Sequence, residues 1–291
     1  MHYRPRRSAL YMPGANPRAL EKAQSLPADV LILDLEDAVA PDAKDAARER
    51  VCRALSTHDY RHCEVVVRIN ALTSPWGAAD LRAAAAAAPN AILTPKPARA
   101  EDIVGVSAAM DAAGASSKTR LWAMVETPLA ILNLAEIAAA ARQTRLECLV
   151  LGTNDLVKET RADLSEDPTA ALYWSSVAIT AARAWGLDAL DGVYNDFRDA
   201  QGFDRACRLG RRLGFDGKTL IHPDQIAAAN AVFAPSAEEV AFARKIIAAL
   251  EEPGNAGKGV VSVDGRMVEL LHAEMARRTL AIAEAIAARS R

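Results

Sequence analysis

An α/β chain of the (β/α)8 TIM-barrel type, with a C-terminal helical extension, is the fold class the sequence predicts, on three observations. Short apolar runs recur down the chain, helix-like segments separate them, and 291 residues is the right length for eight such units plus an appendage. The predicted strands are Ser8–Tyr11, Val30–Leu35, Glu64–Ile69, Ala91–Thr94, Leu121–Val125, Cys148–Leu151, Ala189–Val193 and Lys218–Ile221. Nearly continuous apolarity within a strand implies a parallel sheet covered on both faces. Between the strands, Pro17–Ser25, Lys44–Leu55, Ala78–Ala88 and Ala130–Ala141 carry helical spacing. The alanine run at 83–88 reads as helix, because Ala is the strongest helix former. Units of roughly 30 residues fit a closed barrel better than an open doubly wound sheet.

Beyond the eighth strand the pattern predicts helices at Pro223–Val232 and Ser236–Leu250, a strand-like run at Val260–Val263 and a last helix at Val268–Ala288. Pro253, Gly254, Gly257 and Gly259 make Glu252–Gly259 the one convincing linker, read as a hinge. Lys258 within it suggests a phosphate loop only weakly, since no Ser or Thr follows it and no strand precedes it. The expected division is a barrel over 1–235 and an extension or lid over 236–291.

Composition narrows the function. The chain is 51% hydrophobic and 25% charged with a formal net charge of -2, which argues against a nucleic-acid or polybasic membrane partner. No apolar run approaches the ~20 residues of a membrane span, and no signal-peptide core is visible, so a cytoplasmic protein is expected. Arg4, Arg6 and Arg7 are a short basic start, enough for one anionic ligand. Cys52, Cys63, Cys148 and Cys207 are scattered without metal-ligand spacing and read as reduced and structural.

In a (β/α)8 barrel the chemistry sits where strands end. The polar residues there are Glu36 and Asp37, Arg68 and Asn70, Lys96, Glu126, Asn154 and Asp155, the cluster Asp191, Tyr194 and Asp196, and His222. Several carboxylates with one Arg, and no Ser–His or Cys–His pair, suit a hard oxygen-liganded cation such as Mg2+ and an anionic substrate. Glu126 and Asp155, on adjacent strand ends, are the expected metal ligands, and Arg68 is expected to pair bidentately with a substrate carboxylate. Glu36 and Asp37 are expected to orient metal-bound waters or to hold Lys96 or Arg68. The competing reading for each is a salt bridge on the barrel rim, favoured for Asp34, while a lone His such as His222 is more often a packing residue.

Seven segments carry a resemblance. They are Ser-Ala-Leu-Tyr-Met-Pro-Gly (8–14), Leu-Asp-Leu-Glu-Asp-Ala-Val (33–39), Val-Arg-Ile-Asn (67–70), Val-Glu-Thr-Pro (125–128), Gly-Thr-Asn-Asp-Leu (152–156), Val-Tyr-Asn-Asp-Phe-Arg-Asp (193–199) and Gly-Lys-Thr-Leu-Ile-His-Pro (217–223). In this order they resemble the citrate lyase beta chain and malyl-CoA lyase family of CoA-ester lyases, over nearly the whole chain. The resemblance implies Mg2+ on Glu126 and Asp155, Arg68 on the oxo-acid, and a carbon–carbon lyase acting on a 3-hydroxyacyl-CoA thioester such as citryl-CoA or malyl-CoA. It implies a CoA arm entering at the barrel mouth, with Arg7, Tyr11, Pro128, Tyr194, Ile221 and His222 expected along it. It also implies a homotrimer or hexamer whose C-terminal segment supplies a catalytic acid. Relatives carry Asp where this chain has Glu269, so Glu269 and Asp264 both stand as candidates. Three alternatives stay open: a subunit acting on an acyl-carrier-protein thioester, an aldolase working on free 2-oxo acids, and a binding protein without activity.

Overall fold

The computed structural model describes residues 3–164, 169–255 and 258–289; Gly257, one of the predicted hinge glycines, lies outside them. Among the described residues, eight parallel strands close into a barrel in chain order. They are β1 (Ser8–Pro13), β2 (Val30–Asp34), β3 (Glu64–Arg68), β4 (Ala91–Thr94), β5 (Arg120–Val125), β6 (Leu146–Leu151), β7 (Asp188–Asp191) and β8 (Gly217–Leu220). Each prediction falls within two or three residues of its strand. The pairing of β1 with β8, Ala9 opposite Thr219, shuts the cylinder and leaves no sheet edge.

Strand geometry sends alternate side chains to opposite faces. One set, including Ala9, Val30, Ile32, Val66, Leu93, Trp122, Val150 and Leu190, fills the barrel interior. The other set, including Leu10, Leu31, Leu33, Val67, Ile92 and Leu149, is equally buried on the opposite face. That double burial is why the strands read as unbroken apolar runs. The covering helices start on side-chain caps where the sequence provides them: Asn16 accepts from Ala19 N, Thr127 from Ala130 N and Asp199 from Gly202 N. The predicted helix at Ala130–Ala141 is divided at Asn133 into Pro128–Leu132 and Leu134–Ala139.

The lower interior layer is charged. Arg6 is 4% exposed and spans Glu64 with Nε and Nη2 (2.8 and 2.9 Å), Glu147 with Nη2 (2.9 Å) and Asp188 with Nη1 (2.5 Å). Its guanidinium also lies 4.9 Å from the centre of the Trp122 ring. Arg7 pairs with Asp29 through Nε and Nη2, at 2.7 and 2.9 Å. Of this basic start, Arg6 and Arg7 are both engaged with carboxylates at the N-terminal end of β1.

Two compact units result, Arg6–Asn230 and a second formed by the N-terminal residues up to Pro5 with Ala231–Arg291. The division falls inside the helix Ile226–Phe233 rather than after residue 235. Asn230 belongs with the barrel because its side chain accepts from Ser8 Oγ (2.7 Å) and donates to Pro27 O (2.9 Å). The second unit packs the helices Ala237–Glu251 and Leu270–Arg289 with a hairpin of β9 (Val260–Val263) and β10 (Arg266–Glu269). Its core includes Ile246, Val261, Val263 and Val268. The last helix begins at Leu270, not Val268, because Arg266–Glu269 pairs with β9 instead. Asp264 (φ 50°) and Gly265 (φ 76°) form the left-handed two-residue turn, an Asp-Gly signal for a hairpin. No helix among the described residues is long and apolar enough to cross a membrane.

Arg6→Ala should remove the guanidinium that Glu64 and Asp188 share. Breaking a buried ion pair from one side costs about 3–5 kcal/mol. At roughly 2–4 °C per kcal/mol, Tm should fall by about 10 °C. Thermal unfolding followed by circular dichroism checks this, and an unchanged Tm would show that the barrel floor does not depend on the pair.

Candidate active site

At the other end of the strands the same alternation delivers polar side chains into the interior. Asp34, Arg68 and Glu126 continue the inward-facing columns of β2, β3 and β5, and with Tyr11 of β1 and Thr219 of β8 they line a cavity of about 320 Å3. Asp37, Met124, Gly152, Asn154, Asp155 and Ile221 complete most of its wall.

Arg68 is 6% exposed and tied on one edge. Its Nε and Nη2 each donate to a different oxygen of Asp34 at 2.6 Å. Nη1 donates to Asp37 Oδ2 at 3.1 Å. Glu36 Oε2 lies 3.0 Å from Nη1 but off the N–H direction, so it contributes charge without a hydrogen bond. Asp34 therefore holds the Nε–Nη2 edge, while Nη1 lies against Asp37 and Met124 of the cavity wall. Asp34 itself is the structural ion-pair partner. Beneath the guanidinium, 4.8 Å from its carbon, lies the Tyr11 ring.

Burial pushes the Glu36 carboxyl up to about 7, against the pull of Arg68 and with the help of Asp37 and Asp34. Burial likewise pushes Glu126 up to about 8, with Glu36 and Asp155 adding to it and Arg68 and Lys96 opposing. Two carboxyls raised this far near one fixed guanidinium, Glu126 of them on the cavity wall, are the electrostatic pattern of a functional site. Glu36 stands behind Arg68 and is absent from the cavity wall, whereas Asp37 is on it.

Glu126 and Asp155 share a neighbour that the sequence placed at a strand end without giving it a role. Lys96 donates its backbone N–H to Glu126 Oε1 (2.9 Å) and sets its Nζ 3.1 Å from Asp155 Oδ1. It does so with φ 53°, a left-handed backbone rare for a residue with a Cβ. Such strain persists where its surroundings enforce it. Asp155 sits in the first turn of the helix Thr153–Thr160, whose N-terminus favours negative charge. Among the described residues no cluster of three or more His, Cys, Asp or Glu has metal-binding geometry. A pair of hard carboxylates is nevertheless the donor set Mg2+ takes, since it keeps waters and substrate oxygens on its other positions. Gly152 makes the room: a Cβ there would stand 2.5 Å from Glu126 Cβ and 2.8 Å from its Oε2.

The expected CoA-arm residues are distributed unevenly. Tyr11 and Ile221 line the cavity. Arg7 does not, because it precedes β1 and so lies at the opposite end of the barrel, bonded to Asp29. Pro128 opens the helix Pro128–Leu132 and is not on the wall. The Tyr194 hydroxyl donates to Asp199 Oδ2 at 2.8 Å. His222 stacks on Phe197 (4.8 Å, 17°) and its Nδ1 accepts from Asp224 N, so it caps the turn that follows. Every residue lining the cavity belongs to the barrel unit, and Asp264 and Glu269 belong to the other. In that unit Asp264 pairs with Lys245 at 2.7 Å, and Glu269 N donates to His272 Nδ1 at 3.0 Å.

Gly152→Ala should destabilise the protein by about 1–3 kcal/mol, the usual range for overpacking a filled site. Gly105→Ala, where an added Cβ meets nothing within 4 Å on the helix Ala100–Ala112, should stabilise it by about 0.5–1 kcal/mol. Urea denaturation of both variants measures the contrast; equal effects would remove the argument that Gly152 is there for Glu126.

Known proteins share this architecture. The family described as HpcH/HpaI aldolase/citrate lyase matches residues 7–223. A (3S)-malyl-CoA thioesterase of Cereibacter sphaeroides is 50% identical over 98% of this chain and 96% of that protein. The citrate lyase subunit beta of Escherichia coli K12 is 38% identical over 97% of this chain and 94% of that protein. The crystal structure of CitE from Mycobacterium tuberculosis, in complex with magnesium, acetoacetate and coenzyme A, superposes with a TM-score of 0.77. It is 31% identical and covers 96% of this chain and 98% of that one. The eight-stranded barrel and a match over most of its length lead to one conclusion: the chain belongs to the HpcH/HpaI aldolase/citrate lyase family.

Proposed function

We propose that this protein is a Mg2+-dependent carbon–carbon lyase that cleaves, or forms, a 3-hydroxyacyl-CoA thioester such as malyl-CoA or citryl-CoA. The products of cleavage are acetyl-CoA and a 2-oxo acid, glyoxylate or oxaloacetate. The observation that carries this reading is one small cavity with a clamped guanidinium on one wall and the Glu126–Asp155 carboxylate pair on another. Relatives whose names specify malyl-CoA and citrate lyase support the substrate class, and the magnesium, acetoacetate and coenzyme A in the CitE complex support the ligands.

Arg68 Nη1 takes the substrate carboxylate, with the guanidinium kept planar and oriented by Asp34. Mg2+ held by Glu126 and Asp155 would supply Lewis-acid polarisation of the substrate oxygen at the carbon being cleaved. Asp37, the acid after β2 that lines the cavity, accepts the hydroxyl proton in this reading as the carbon–carbon bond breaks. The bonding electrons pass to the thioester α-carbon as an enolate, which a proton then quenches to acetyl-CoA. Asp264→Asn and Glu269→Gln, assayed separately, decide whether either C-terminal acid delivers that proton. Met267, Leu270, Leu271 and Met275 are exposed on the C-terminal unit, which supports assembly into a homotrimer or hexamer.

A second reading has its own support. The 50% identity to a (3S)-malyl-CoA thioesterase favours hydrolysis of the thioester, in which water replaces the thiolate and leaves malate and free CoA. Product analysis on malyl-CoA, citryl-CoA and citramalyl-CoA separates the two: acetyl-CoA with an oxo-acid means cleavage, free thiol without oxo-acid means hydrolysis. Activity on none of the three would sink both.

Glu126→Gln and Asp155→Asn should each lower turnover by at least about a hundredfold, as should EDTA, and normal rates in both variants would overturn the metal assignment. Glu126 is raised to about 8, so below that pH it holds a proton that a cation must displace. Mg2+ affinity should therefore increase as pH rises from 6 toward 8 and level off above it. Calorimetric titration across that range checks the sign; a flat profile would contradict it.

A further inference from the structure

Tyr11 occupies the inward-facing column of β1, one alternation above Ala9, and its side chain reaches the cavity wall beside Arg68. Its Oη is buried and has no hydrogen-bond partner among the described residues. A buried hydroxyl without a partner is unfavourable, and Phe would fill the same space without that penalty. Burial also raises the phenol above its ordinary range, with Arg68 opposing, so the oxygen keeps its proton as a donor.

The neighbouring donors are committed. Thr219 Oγ1 donates to Asp191 O at 3.0 Å. Asn154 is joined to Asn195 in both directions, at 3.3 and 2.8 Å. Arg68 gives its Nε–Nη2 edge to Asp34, and its Nη1 donates to Asp37 Oδ2 at 3.1 Å and to Met124 Sδ at 3.7 Å, both on the cavity wall. A carboxylate has two oxygens and about four acceptor sites, more than one N–H direction satisfies. With the Tyr11 ring 4.8 Å beneath the guanidinium carbon, the phenol is a donor on the same wall that no described residue accepts from.

We propose that Tyr11 is an acid-binding residue: its hydroxyl donates a hydrogen bond to the carboxylate of the 2-oxo or 2-hydroxy acid that Arg68 pairs. The assignment rests on the oxo-acid reading of this cavity, and it places Tyr11 on the acid rather than along the CoA arm. The ring, stacked under Arg68, fixes where the donor stands, and the hydroxyl supplies a contact in addition to those of the guanidinium.

The test is Tyr11→Phe, which keeps the ring and removes only the hydroxyl. Calorimetry with glyoxylate, pyruvate and oxaloacetate, each with Mg2+, should give a Kd about tenfold weaker for every acid that the unaltered protein binds. The Kd for coenzyme A should not change, KM for the active thioester should rise with kcat less affected, and the ligand-free Tm should stay level or increase. Unchanged acid affinity in the variant would overturn the proposal while leaving the lyase reading intact. Weaker CoA binding with normal acid binding would return Tyr11 to the CoA arm and also overturn it. A clear fall in Tm would mean that the hydroxyl serves the fold, and the proposal would fall on that result too. If the unaltered protein binds none of the acids, the oxo-acid reading itself fails and this assignment goes with it.

Discussion

Every second residue of eight strands must face a closed interior, and the rest of this protein follows from how that interior is filled. Its middle layer is apolar, with Val66, Trp122, Val150 and Leu190 excluding water. Charged groups stand below it and above it, and each lies in a medium where an unpaired charge is expensive. Below, Arg6 is shared among Glu64, Glu147 and Asp188. Above, Arg68 is clamped by Asp34. The two arginines solve the same electrostatic problem with different surplus: the floor of the barrel is closed, whereas the mouth opens on a cavity.

The mouth is organised around charges that do not balance locally. Asp34, Glu36, Asp37, Glu126 and Asp155 face Arg68 and Lys96, so the acids outnumber the bases within a few ångströms of the cavity. Burial adds to the mutual repulsion, and it holds Glu36 and Glu126 near neutrality. A site in this state favours whatever relieves the excess negative charge, and a hard divalent cation is the natural candidate. Lys96 touches both Glu126 and Asp155, and its left-handed backbone is the conformational cost of reaching them.

The second unit obeys a different logic. Its small core of Ile246, Val261, Val263 and Val268 is built from one hairpin and two helices, and it leaves Met267, Leu270, Leu271 and Met275 in solvent. Asp264 has the backbone of a hairpin turn and an ion pair with Lys245 to account for its presence, whereas Glu269 ends β10. An acid that matches a family position need not be fixed by that position's chemistry alone, because the turn has its own demand for Asp-Gly.

What the sequence determined by itself was the periodic part. Strands buried on both faces announce themselves as apolar runs, so β1 to β8 were legible to within two or three residues, and strand ends located Arg68, Glu126 and Asp155. Composition also set the chemical class, hard carboxylates with one Arg. β10 is marked by the short local signal Asp264-Gly265 and not by periodicity. What only the tertiary structure decided were the pairings across strands, which sequence distance does not encode. It brought Glu64 and Asp188 to Arg6 and Asp29 to Arg7. It spent one edge of Arg68 on Asp34, withdrew Glu36 behind the guanidinium and put Tyr11 beneath it. Alternation fixes which face a side chain takes, but only barrel closure fixes which neighbours it meets there.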